Sequence, residues 1–80
     1  MKSVYIIRSR TWKRSDYVGI TGDFEGRLKQ HNEGRTSYTS GGGPWEPVVV
    51  VWFQDDRRAE AFEEYLKSGS GRAFARRHLL

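Results

Sequence analysis

The sequence contains no cysteine, which excludes disulfide bridges, thiolate zinc sites and cysteine nucleophiles. It has no apolar run that approaches the roughly 18 residues of a membrane-spanning helix. Near the amino terminus only the stretch 4–7 is apolar before Arg8 follows, which is too short for the apolar segment of a secretory signal. We therefore expect no membrane association, and the absence of cysteine fits a reducing compartment, the cytoplasm.

The size and charge of the chain indicate how many domains it forms and what class of partner it binds. Its 80 residues predict one domain spanning 1–80. Fourteen lysines and arginines against ten acidic residues give a net charge of +4, which favours a polyanionic partner such as DNA. Only two histidines are present and they are far apart, so a histidine-rich metal site is not expected.

Local patterns predict the element order ββαβαα. Strands are expected at 3–7, 16–21 and 48–53, and helices at 23–33, 57–67 and 72–79. The unbroken apolar run 48–53 predicts a central strand covered on both faces. On the second strand, Tyr17 and Gly19 lie on one face, and the glycine leaves space for a close approach.

The first predicted helix has an unusual apolar stripe. At 100° per residue, Phe24 and Leu28 fall within the same sector of roughly 100° as Arg27 and His31. Two interpretations are open. The basic side chains either flank the stripe and extend to water, or they belong to a functional site that the helix faces.

A carboxylate lies at the edge of the second helix's apolar stripe. Ala59, Phe62 and Leu66 form the stripe, and Glu63 lies beside it. A carboxylate there needs a cation or hydrogen bonds. Its partner is either Lys67, four residues later, or a divalent metal.

Basic residues that could bind a nucleic acid occur in two further places. Arg35 opens a long glycine-rich loop, 35–47, which either holds phosphate oxygens or is simply mobile. Arg72, Arg76 and Arg77 lie on the polar side of the last helix, where a solvated surface is the alternative.

The remaining candidates suit phosphodiester cleavage. They are two tyrosines on neighbouring strands, Tyr5 and Tyr17, with Arg27, His31 and Glu63. A metal held by a carboxylate polarises the phosphate, an arginine stabilises the developing charge, and a tyrosine activates water or relays a proton.

These residues resemble the motifs of the GIY-YIG nuclease family. Ser3-Val4-Tyr5 stands at the first tripeptide and Tyr17-Val18-Gly19 at the second, and Arg27 and His31 follow at the family's spacing. The segment 61–67 looks like the helix whose glutamate, here Glu63, binds the metal. The resemblance covers nearly the whole chain and is to the short single-domain bacterial members, related to the amino-terminal nuclease domain of the excision-repair excinuclease.

The resemblance implies a fold and an activity. The fold is an α/β sandwich in which a small three-stranded antiparallel sheet is flanked by helices. The activity is Mg- or Mn-dependent DNA endonuclease cleavage, with structure-specific action in DNA repair or recombination as one expectation. The implied catalytic residues are Tyr5, Tyr17, Arg27, His31 and Glu63, with Glu63 as the metal ligand.

The sequence departs from the family pattern at three points. Ser3 replaces a glycine, Ile20 stands where the excision-repair nuclease has a lysine, and the last helix has no matching asparagine. Two alternatives therefore accompany the nuclease hypothesis. One is a non-catalytic nucleic-acid-binding module of the same fold, and the other is a protein-interaction adaptor that uses exposed tryptophans.

Overall fold

The computed structural model describes residues 1–13 and 15–80. Its elements are β1 Lys2–Ser9, β2 Asp16–Thr21, α1 Phe24–Asn32, β3 Trp45–Phe53, α2 Asp56–Lys67 and α3 Gly69–His78. This is the predicted order ββαβαα. Among the described residues, no helix is long and apolar enough to cross a membrane.

The three strands form one antiparallel sheet in the order β2-β1-β3, which confirms the predicted sheet. The central strand is β1, so the expectation that the run 48–53 would be central is wrong. A register shift opposite Ile6 and Ile7 lets Val48 and Val49 pack on the same side. On the other side, Val50 and Trp52 are 40% and 58% exposed and lie outside the apolar cluster on that face, so β3 is not covered on both faces as predicted.

Side chains of β1 alternate between two apolar layers. Val4 and Ile6 pack with buried residues of α2 and α3, including Leu66. Tyr5 and Ile7 point to the opposite face, where α1 and the start of β3 supply the Phe24, Leu28 and Trp45 side chains. The sheet is therefore covered by α2 and α3 on one face and by α1 on the other.

Side-chain caps fix where the helices begin. The Asp23 carboxylate accepts a hydrogen bond from the Gly26 backbone N–H at 3.1 Å and caps α1. A Cβ on Gly26 would collide with that carboxylate, which explains a glycine inside the helix. Ser68 caps α3 through the Gly71 N–H at 3.1 Å. The last helix therefore begins at Gly69 and not at 72 as predicted, because the Ser68 cap includes the glycines in its first turn.

Candidate active site

The first tyrosine is placed by the pairing of β1 with β2. Tyr5 lies directly opposite Gly19, and its ring covers the glycine so closely that a Cβ there would overlap the phenol. The space that the glycine leaves is therefore filled by Tyr5 itself. Tyr5 is 2% exposed, so the ring is fixed between the sheet and α1.

A chain of hydrogen bonds runs from Tyr5 into the loop after α1. The Tyr5 hydroxyl lies 2.8 Å from His31 Nε2, and His31 Nδ1 lies 2.7 Å from Thr39 Oγ1. Thr39 Oγ1 lies 3.4 Å from the Thr36 carbonyl oxygen, to which it donates. His31 and Thr39 are 1% and 0% exposed, so His31 does not extend to water as one interpretation of the helix stripe expected.

Aromatic rings enclose this chain. The ring centroid of Tyr17 lies 5.1 Å from that of His31 and 6.4 Å from that of Tyr5. Phe24 packs on the other side of Tyr5 at 5.2 Å. The apolar stripe of α1 thus continues into the site, and this is why Phe24 and Leu28 share a helix face with His31.

Burial and neighbouring side chains shift the pKa values of Tyr5 and His31. Burial and the neighbouring Tyr17 raise the pKa of Tyr5 to about 12, with Glu63 adding to the rise and Arg27 opposing it. Burial and the Arg27 guanidinium lower the pKa of His31 below 6.5. Both groups are therefore neutral at pH 7, and Arg27 and Glu63 lie within electrostatic reach of Tyr5.

Glu63 is half-buried at the edge of the α2 stripe, with its side chain 16% exposed. Its Oε2 lies 2.6 Å from Lys67 Nζ, so the lysine is its partner in this structure. Within the described ranges, no group of three His, Cys, Asp or Glu side chains could hold a metal ion. A metal here would have one carboxylate ligand. That set suits Mg²⁺, which keeps several waters and completes its shell with substrate phosphates.

A groove of about 550 Å³ opens beside Tyr17. Its apolar residues are Ile6, Val18, Leu66, Ala75 and Leu80, and its polar residues are Asp16, Tyr17, Lys67, Arg72 and Arg76. We call it the cationic groove, because Lys67, Arg72 and Arg76 line it together.

The other two predicted nucleic-acid contacts lie apart from the cationic groove. Arg77 lines a second hollow on α3 with Phe74 and His78, and Arg76 borders both this hollow and the groove. Arg35 is exposed and pairs with Glu33 at 3.3 Å. Neither residue lines the groove beside Tyr17.

Sequence reasoning did not assign Thr39 or Asn32 to the site, although Thr39 belongs to the loop that was expected to hold phosphate oxygens. Thr39 contacts His31 from a loop with no apolar period, and the only signal was that this loop is rich in hydroxyl groups. Asn32 accepts a hydrogen bond from the Trp45 N–H and donates one to the Trp45 carbonyl, which ties the end of α1 to the start of β3. No spacing rule indicated that pairing.

Comparisons with known proteins agree with the geometry. The family model described as the GIY-YIG catalytic domain matches residues 1–77. The UPF0213 protein CPE1444 of Clostridium perfringens is 38% identical over 68 residues, which cover 84% of this chain and 71% of that protein. The UPF0213 protein OB0043 of Oceanobacillus iheyensis is 40% identical over 62 residues, covering 76% and 67%.

A solved structure is similar as well. The solution NMR structure of the UPF0213 protein BH0048 from Bacillus halodurans matches with a TM-score of 0.58 and 32% identity, over 95% of this chain and 81% of that one. GIY-YIG proteins are usually endonucleases, and they generally use divalent metals. On the match over residues 1–77, the chain belongs to the GIY-YIG family.

Proposed function

We propose that this protein is a metal-dependent endonuclease that hydrolyses phosphodiester bonds in DNA. The observation that supports it most is the buried hydrogen bond of 2.8 Å between the Tyr5 hydroxyl and His31 Nε2. It lies beside Tyr17 and within electrostatic reach of Arg27 and Glu63. The pair is buried and satisfied, and it places a phenol and an imidazole in hydrogen-bond contact next to an arginine, a tyrosine and a carboxylate, which are groups suited to proton transfer.

The proton chemistry follows from the pKa shifts. With a pKa of about 12, Tyr5 is a phenol at pH 7 and not a tyrosinate. It can still activate water by relay: its oxygen takes a proton from the attacking water while its own proton passes to His31 Nε2. His31 can accept that proton because it is neutral at pH 7, although the burial and the Arg27 charge that lower its pKa also make it a weaker base.

Arg27 and Tyr17 act on the phosphate in this proposal. The Arg27 guanidinium stabilises the charge that develops on the phosphate oxygens. The Tyr17 hydroxyl, which forms no hydrogen bond within the described part of the chain, is free to donate to a phosphate oxygen. Both side chains are partly exposed, so a substrate can reach them.

Glu63 would hold the divalent metal, Mg or Mn. When bound, such an ion polarises the phosphate and stabilises the leaving oxygen. Lys67 pairs with Oε2 of Glu63, so a ligand cation has to bind the other oxygen or displace the ammonium group. Displaced from the carboxylate, Lys67 would face the cationic groove, which it already lines.

The cationic groove supplies the proposed path for the DNA backbone. Arg72, Arg76 and Lys67 line it next to Tyr17. Ile6 and Val18 also line it and lie on the sheet face opposite Tyr5, so phosphates would reach the Tyr5–His31 pair around the β2 edge, where Tyr17 lies. Arg35 and Arg77 could add contacts only outside this groove.

The deciding experiment incubates the protein with flap, nicked and branched DNA in Mg²⁺, in Mn²⁺ and in EDTA. We expect cleavage that needs the metal and is abolished in Glu63→Gln. The matched control is Glu64→Gln, because Glu64 is the exposed neighbour on the same helix and should be nearly silent. Equal activity of the wild type and Glu63→Gln would eliminate Glu63 as the ligand.

The ion pair between Glu63 and Lys67 favours a second candidate, a non-catalytic nucleic-acid-binding module. At 2.6 Å the lysine already neutralises the carboxylate, and α3 lacks the asparagine of several family nucleases. This candidate predicts salt-dependent DNA binding without cleavage in either metal. It also predicts that Glu63→Gln binds DNA as well as the wild type does.

A further inference from the structure

We infer that Thr39 is a positioning residue that holds His31 as the Nδ1-protonated tautomer, so that Nε2 accepts the proton of Tyr5. The hydrogen-bond distances alone do not fix the direction, since either ring nitrogen of a neutral histidine can carry the proton. The direction follows from counting donors and acceptors along the buried chain.

Only one direction gives every donor of the chain an acceptor among the residues that the structure describes. If Tyr5 donates to Nε2, then Nδ1–H donates to Thr39 Oγ1, and the Thr39 hydroxyl donates to the Thr36 carbonyl oxygen. In the reverse direction the threonine donates to Nδ1 and Nε2–H donates to Tyr5. The phenol proton of Tyr5 would then have no acceptor in the described part of the chain and would depend on a water, whereas the first direction pairs every donor with a protein acceptor.

The backbone of the loop holds Thr39 in place for this contact. Its N–H donates to the Thr36 carbonyl oxygen at 3.1 Å. Its own carbonyl oxygen accepts from the Gly42 N–H and from Trp45 Nε1, both at 3.1 Å. Three backbone contacts therefore fix a side chain with no exposed surface. Among the described residues, its hydroxyl forms hydrogen bonds with His31 and Thr36.

The consequence for catalysis rests on the proposed function. With the imidazole proton at Nδ1, the lone pairs of the phenol oxygen remain available to a water molecule. The phenol proton of Tyr5 already points to His31 Nε2. In the other tautomer, Nε2–H would occupy the phenol oxygen and the relay could not start. Loss of the threonine hydroxyl should then lower kcat with little change in KM, by roughly the 10- to 100-fold seen for partners that orient metal-binding histidines.

The test reads the tautomer directly by ¹⁵N NMR of the imidazole rings in the metal-free protein. We expect a protonated-nitrogen shift at Nδ1 of His31 and an unprotonated one at Nε2. His78, which is exposed on α3, serves as the internal reference. Thr39→Val keeps the shape but lacks the hydroxyl, and should move His31 toward the Nε2-protonated form. Thr39→Ser should preserve the wild-type pattern.

The outcomes separate this inference from the nuclease proposal. Protonation of Nε2 in the wild type would overturn it, as would an unchanged tautomer in a folded Thr39→Val. If Thr39→Val does not fold, the wild type and Thr39→Ser still decide the matter, because a serine variant with the other tautomer would also contradict the assignment. Absence of cleavage in every metal would refute the nuclease proposal and leave the tautomer measurement standing.

Discussion

Replacing Tyr5 with phenylalanine isolates the hydroxyl at the start of the hydrogen-bond chain. The ring still fits over Gly19, so packing changes little. His31 Nε2 loses its partner in a position 1% exposed, and an unsatisfied buried group costs about 1–3 kcal/mol. For a domain of this size each kcal/mol lowers Tm by about 4–8 °C. Cleavage should fall by roughly 100-fold or more, as for loss of a proton-transfer group.

The matched control is Tyr17→Phe. Tyr17 is half-buried and its hydroxyl forms no hydrogen bond to the residues described, so the free energy of unfolding should change by less than about 0.5 kcal/mol. Its activity should still fall if the phenol binds phosphate. Calorimetry and cleavage of flap DNA on the same preparations give both quantities. A Tyr5→Phe protein as stable as the wild type would refute the structural reasoning, and one as active would remove Tyr5 from the mechanism.

Three further outcomes are expected. The pKa of His31 is lowered in the folded state, so the contribution of its neutral form to stability is complete above pH 6.5 and is lost as the pH falls below that value. The free energy of unfolding in urea should therefore differ less between pH 7 and pH 5 for His31→Gln than for the wild type. Gly19→Ala should lower Tm by several degrees, because the added methyl group displaces the Tyr5 ring, and an unchanged Tm would contradict the contact. Arg72→Ala and Arg76→Ala should each weaken DNA binding for all sequences and reduce the salt dependence of the affinity by about one ion, measured by fluorescence anisotropy. A loss confined to particular sequences would mean that these arginines read bases.

The fold was predictable because it depends on local patterns. Capping residues such as Asp23 and Asp55 stand immediately before their helices and bond to the first turns. The apolar period places Ala59 and Leu66 in the core, where both are buried. The sheet position of β3 was not predictable from its composition. A bulge at Val48 turns two consecutive valines to one face, and an apolar run alone does not reveal a bulge.

The candidate site was predictable only in its residue types. The excess of basic residues on the α1 stripe indicated Arg27 and His31, but not that His31 would be buried. The contact between His31 and Thr39 depends on how a loop with no periodic pattern folds back on α1. Such a contact depends on backbone hydrogen bonds within the loop, for which the sequence shows no repeat or spacing.

The position of Tyr5 on the central strand affects how the site can move. Strand β1 is hydrogen-bonded to a neighbour on each side, and its side chains fill both apolar layers. Amide hydrogens in such a strand exchange with solvent mainly through global unfolding, whereas helix ends and loops open locally. The Tyr5 end of the proposed proton relay is therefore anchored in the part of the fold that should exchange most slowly, whereas His31 and Thr39 lie in the last turn of α1 and in the loop after it. Adjustment to differently shaped DNA should therefore fall to segments outside the sheet, among them α3, which contributes Arg72 and Arg76 to the groove.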